Sequence, residues 1–172
     1  LLNDAELAMY RAKRLGGKHP FIADAWLPTD AIRGELAERW SWKENPLRLE
    51  VNLRKGVMFP EKPGVMKERE LTAEDVAFAF NRLATSPKKI AGYFDHVEKV
   101  EATGKYTVVF TFKYFNAEWD YRFGWGYYST ITPKEVADAG ATNWKNVNGT
   151  GPFVLSDFVQ GSSNTYSKNS IY

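Results

Sequence analysis

Leu47-Arg48-Leu49-Glu50-Val51-Asn52-Leu53-Arg54 decides the fold class. Apolar and polar residues alternate through it without a break. That period of two belongs to a strand with one buried face and one wet face. Such strands occur in antiparallel sheets, because parallel sheets are covered on both sides. Just upstream, Arg39 to Lys43 places Trp40 and Trp42 on one face, and Glu44-Asn45-Pro46 turns the chain, so the two runs should pair as a hairpin. A second hairpin is expected from Val97 to Ala102, across Thr103-Gly104, to a strand with Tyr106, Val108, Phe110 and Phe112 on one face and Thr107, Val109 and Thr111 on the other. A third pair of strand-like runs, Phe153–Val159 and Asn164–Lys168, follows the glycine-rich turn Asn148-Gly149-Thr150-Gly151-Pro152 and is split by Gly161-Ser162-Ser163.

Helices punctuate these pairs. Asn3 with Glu6 forms a capping box for a first helix that Gly16-Gly17 stops, and Leu2 with Leu7 supplies a hydrophobic staple. Thr72-Ala73-Glu74-Asp75 opens a second, with a stripe of Val76, Phe80 and Leu83 and an end near Ser86-Pro87. Phe78 points off that stripe, so this helix is expected to have cover on two sides. Thr132-Pro133-Lys134-Glu135 starts a third, short helix that Gly140 ends. Residues 20–34 and 55–70 read as irregular connections. Strand pairs interrupted by capped helices give an α+β fold, a mainly antiparallel sheet with capped helices packed on it.

With 172 residues, 44% hydrophobic and 26% charged, the chain can hold a core of its own. No run approaches 18 apolar residues, so no membrane span is expected. Leu1-Leu2-Asn3-Asp4 shows no signal peptide. Zero cysteines exclude a disulfide framework and a thiolate metal site, and 23 basic against 21 acidic residues, a net +2, give no reason to expect nucleic acid.

The sequence offers no catalytic set, no metal-ligand spacing and no cofactor motif. His19 and His96 are far apart; Asp95-His96 resembles half of a base-catalysis pair but has no nucleophile elbow to serve. Glu74-Asp75 are adjacent on a helix and point in different directions, which suits capping better than paired-acid chemistry. Gly149-Thr150-Gly151 lacks the rest of a phosphate loop, and Asn148-Gly149-Thr150 fits a glycosylation acceptor. One feature bears on ligands: the aromatic stretch Trp119, Tyr121, Phe123, Trp125, Tyr127, Tyr128, interleaved with Gly124 and Gly126. Its least core-like part is Gly124-Trp125-Gly126, where flanking glycines leave the indole free. Trp125, Tyr127 and Tyr128 are the candidate ligand-facing residues, offering rigid faces and hydrogen-bonding edges to a peptide or a sugar.

Four ordered blocks carry a resemblance: Gly34-Glu35-Leu36-Ala37-Glu38-Arg39-Trp40; Leu53-Arg54-Lys55-Gly56-Val57-Met58-Phe59; Arg69-Glu70-Leu71-Thr72-Ala73-Glu74-Asp75-Val76; and Gly149-Thr150-Gly151-Pro152-Phe153 with Lys168-Asn169 to Tyr172. In that order they resemble family 5 extracytoplasmic solute-binding proteins, the peptide- and nickel-binding components of ABC importers. The resemblance divides the chain into 1–33, a helix and connection, and 34–172, part of a subdomain in one lobe of a two-lobed periplasmic-binding-protein fold. It implies a fragment of a substrate-binding protein, periplasmic or extracytoplasmic, that captures an oligopeptide or oligosaccharide-like solute without chemistry and delivers it to a membrane permease. It implies no enzyme activity and no cofactor. Residues 1–17 instead resemble the last helix of GGDEF diguanylate cyclase domains, without that family's metal and nucleotide signature. The competing expectations are therefore a cyclase-like remnant of nucleotide second-messenger signalling and a purely structural interaction domain.

Overall fold

The alternation at residues 47–54 becomes an inner strand. The structure, a computed structural model, describes residues 34–124 and 130–172. Strands β1 (Ala37–Lys43), β2 (Arg48–Leu53), β5 (Val97–Gly104) and β6 (Thr107–Phe112) form an antiparallel sheet in the order β1-β2-β6-β5. Its register aligns the apolar residues in rows. Trp42 faces Leu49, Leu49 faces Phe110, and Phe110 faces Val100; the next row runs Trp40, Val51, Val108, Ala102. A slip of one residue would turn every one of these side chains to the other face. Leu49, Val100, Val108, Phe110 and Phe112 are buried.

Helix α1 (Ala73–Thr85) packs on β5 and β6, with Phe80 edge-on to Phe110 at 5.1 Å between ring centroids. Thr72 caps it, its N–H donating to the Asp75 carboxylate at 2.9 Å. Ser86 ends it in extended backbone, as a residue before proline must. The helix also meets the short α3 (Lys134–Asp138), which gives it cover on a second side; Phe78 is half-buried and outside the core cluster. Gly140, at φ 99°, stops α3.

Three local expectations shift. Residues 55–70 are more than a loop: β3 (Met58–Phe59) pairs with β4 (Arg69–Glu70), and Phe59 is fully buried, with the Arg69 guanidinium 5.3 Å from its ring. The second hairpin turns at Lys105-Tyr106 rather than Thr103-Gly104, because irregular register near Ala102 carries β5 through Gly104. The aromatic stretch opens as a helix, α2 (Trp119–Gly124), where no helix was expected. A 3-10 turn, Trp144–Asn146, precedes the last hairpin, β7 (Phe153–Val159) with β8 (Ser163–Lys168), which among the described residues pair only with each other. The expected helix at residues 3–15 and the connection at 20–33 lie outside the described residues.

Candidate functional site

Trp125, Tyr127 and Tyr128 lie outside the described residues, so the site is built from what flanks them. On the N-terminal side, α2 turns Trp119 and Phe123, four apart and on one helix face, into the aromatic core. Trp119 meets Trp42 edge-on at 5.4 Å, and Phe123 packs on Phe110 at 5.0 Å and Phe80 at 5.5 Å. Arg122 pins the helix from its other face. It donates to the Tyr93 carbonyl, lies 4.6 Å from the Tyr93 ring and holds the Glu118 carboxylate at 2.8 Å. A six-residue helix is too short to stand alone, and these contacts hold it.

On the C-terminal side the chain returns at Thr130 and lines an open cavity of about 300 Å³ with Thr132, Ala79, Arg82, Leu83, Ala141 and Thr142. Buried Pro133 and Val136 then fix the start of α3. The described residues that flank the candidate segment are thus fixed by rings at Trp119 and Phe123 and line a hydroxyl-lipped hollow at Thr130 and Thr132. The hollow, edged by three threonines and Arg82, offers hydrogen bonds to a solute. Among the described residues, no three His, Cys, Asp or Glu side chains gather as a metal-ligand set.

Two charged clusters turn out to be scaffold. Arg69 forks onto Asp75, at 2.9 and 2.7 Å, and onto Glu135, at 2.7 Å to each oxygen. It joins β4, the start of α1 and α3 in one clamp. The two carboxylates raise the arginine pKa still further, and Arg69 in turn holds Glu135 below the usual carboxylate range. Asp75 therefore does more than cap its helix. Glu70 takes the Lys105 ammonium at 2.7 Å, the Gly56 N–H at 2.7 Å and the Tyr106 hydroxyl at 2.9 Å. The lysine contact first, then those two donors, push its carboxyl down to about 2. Neither cluster was foreseen: Arg69 and Glu135 are 66 residues apart, and no local pattern links them.

His96 is 1% exposed and stacks on Phe112 at 5.6 Å, tilted by 13°. Neither ring nitrogen has a hydrogen-bond partner among the described residues. Burial, helped by Arg122 and opposed by Asp95, pushes its pKa down to about 4. At neutral pH it is an uncharged ring of the aromatic core, sealed from solvent, and the Asp95-His96 pair is no base. Asn148 is buried too, its amide donating to the Pro60 carbonyl at 2.7 Å, which occupies the side chain a glycan would need.

Residues 31–172 match the family model described as bacterial extracellular solute-binding proteins, family 5 Middle. A probable di/tripeptide-binding protein of Pseudomonas aeruginosa is 29% identical over 80% of this chain, and the chain spans 30% of it. The solved structure of the ABC transporter-associated periplasmic binding protein DppA from Helicobacter pylori, in complex with the peptide STSA, superposes with a TM-score of 0.67 at 29% identity, covering 80% of this chain and 30% of that one. MoaA from Agrobacterium tumefaciens R10, in complex with mannopinic acid, superposes at 0.66 with 27% identity, covering 81% and 28%. The chain therefore spans less than a third of the length of the relatives it matches, and the shared portion is an antiparallel α+β part of a periplasmic-binding-protein lobe.

Proposed function

The chain belongs to the bacterial extracellular solute-binding proteins of family 5, and from that premise we propose that it serves as part of a protein capturing a small peptide outside the cytoplasm for an ABC permease. One observation carries this reading: the family match runs over residues 31–172, and the peptide-bound DppA shares the fold over 80% of the chain. Capture is non-covalent, with the lobes closing over the solute and no bond made or broken. Peptide is favoured by the di/tripeptide-binding relative and by the STSA complex; the mannopinic acid complex keeps a sugar-derived solute as the second arm. Trp125, Tyr127 and Tyr128 are the proposed ligand-facing residues, supported by the glycine-flanked aromatic pattern of their segment. The GGDEF resemblance rests on residues 1–17, outside both the matched span and the described residues.

Thermal shift and calorimetry on the protein extended to its relatives' length, against di- to tetrapeptides and opine-type sugars, test the proposal. A peptide shift of several degrees, weakened about tenfold by Trp125→Ala, supports it, since one lost ring contact costs roughly 1–1.5 kcal/mol. Silence toward every solute would overturn it. The 172-residue chain alone should bind weakly, because one side of a clamp buries too little of a ligand.

A further inference from the structure

His96 is a buried, titratable ring that solute capture does not use. It is 1% exposed, and neither ring nitrogen has a hydrogen-bond partner. Aromatic side chains surround it: Phe112 at 5.6 Å, Phe123 at 5.8 Å and Tyr114 at 6.1 Å between ring centroids. An imidazole so placed gains hydrogen bonds only by reaching water, and a charged one is costly in an apolar shell without a partner. The charges around it do not supply one. On α2, Arg122 opposes a second cation, and the Glu118 carboxylate is already held by Arg122 at 2.8 Å. Past β6 the neighbours are Lys113, another cation, and the phenol Tyr114; Asp95, next to His96 in the chain, pulls the other way and is outweighed.

Which neighbour can yield depends on how each is held. The His96 carbonyl accepts from the Lys113 N–H at 2.9 Å, which ties its backbone to the end of β6. Phe112 stands on β6, an inner strand of the four-stranded sheet. Tyr114 is 51% exposed and covers only part of the ring. Phe123 differs: it stands on α2, six residues held by ring contacts and by Arg122. We propose that α2 is an acid-operated latch: His96 takes a proton only when Phe123 has lifted away, so acid draws α2 off the aromatic core before the sheet unfolds. The new cation also repels Arg122, the side chain that pins α2. Once wetted, the imidazole regains its ordinary pKa of 6.5 in place of about 4, so the opened form binds more protons and its share grows as pH falls. From pH 7 to pH 5 the opening constant rises about twentyfold. α2 ends one residue before Trp125, so on the reading proposed above the latch regulates the segment that α2 leads into; the latch itself does not depend on that reading.

Amide exchange of the 172-residue chain at pH 7 and pH 5, corrected for the intrinsic exchange rate, tests the latch. The Arg122 N–H, bonded to the Glu118 carbonyl at 3.0 Å, reports on α2; the amides of β7 and β8, in a hairpin outside the sheet, are the control. The α2 opening constant should rise about twentyfold while β7 and β8 stay level, and at both pH values α2 should open more readily than β2 and β6. His96→Leu should abolish the rise. A flat α2 would overturn the proposal, as would an α2 that opens only together with β2 and β6, or a rise that persists in His96→Leu. Should His96→Leu fail to fold, His19→Asn takes its place, since His19 is the other histidine of the chain. A rise that survives His19→Asn supports the latch, and one that vanishes overturns it. No step reads solute binding, so silence toward every solute and a flat α2 are separate failures.

Discussion

The four-stranded sheet and the last hairpin are both antiparallel and both amphipathic, yet among the described residues only the sheet has its apolar face covered. The sheet's rows of rings and aliphatics lie under α1, while Phe153, Phe158 and Tyr166 of the hairpin face water. The same alternation rule built both. What differs is the second layer, and the energetic weight of each side chain follows from that layer rather than from its strand. Phe80→Ala sharpens the contrast most. Phe80 is 4% exposed and touches Phe94, Phe110 and Phe123, so its truncation should cost about 3–5 kcal/mol in urea unfolding. Phe153→Ala on the 65% exposed hairpin face should stay within about 0.5 kcal/mol in the same 172-residue chain. Equal costs would break the comparison.

Next in size is the clamp on the covered side. Arg69→Ala leaves the buried Asp75 carboxylate and half-buried Glu135 facing each other without a cation, which should cost about 3 kcal/mol by denaturant unfolding. Arg69→Lys should recover little, because an ammonium cannot fork onto two carboxylates.

How far the fold could be read ahead of the structure follows the same line. Residues 47–54, 72–86 and 153–168 were legible because their periodicity and caps are local. α2 was not: Trp119–Gly124 is six residues with three bulky rings and a closing glycine, too short for a periodic pattern, and it is helical because Trp42 and Tyr93 hold it. The pairing of β3 with β4 and the Arg69–Glu135 arm of the clamp join residues ten or more apart in the chain, where pattern carries no information. Of the candidate site, the sequence named Trp125, Tyr127 and Tyr128 from composition alone. It could not show the hollow between Thr130 and Arg82, whose lining comes from α1 and from residues 130–142.

His96 makes the covered side sensitive to acid in a way the hairpin is not. Its folded-state pKa of about 4 lies below the ordinary 6.5, so between these values the unfolded chain binds more protons. Its contribution is fully present above pH 6.5 and is lost as pH falls, reaching about 3 kcal/mol below pH 4. Carboxylates add their own loss only near and below pH 4.5, so the slope from pH 7 to 5 isolates the imidazole. His96→Leu, which keeps an apolar side chain against Phe112, should flatten that slope in denaturant midpoints; an unchanged slope would place the proton elsewhere.

The smallest effect tests whether the hairpin is energetically separate from the sheet. Gly161 sits at φ 75° in its turn, and an added Cβ would meet nothing within 4 Å. Gly161→Ala therefore costs only the left-handed backbone penalty, about 1–2 kcal/mol. Placed in the sheet, that cost would lower global stability in full. In β7–β8, whose strands pair with no other strand among the described residues, it should be absorbed by local opening. Amide exchange should quicken along Leu155 to Val159 and Ser163 to Tyr166 while β2 and β6 exchange at their former rates. A fall in global melting temperature matching the full penalty would show that the hairpin already shares the sheet's core, and would remove the difference between the two regions.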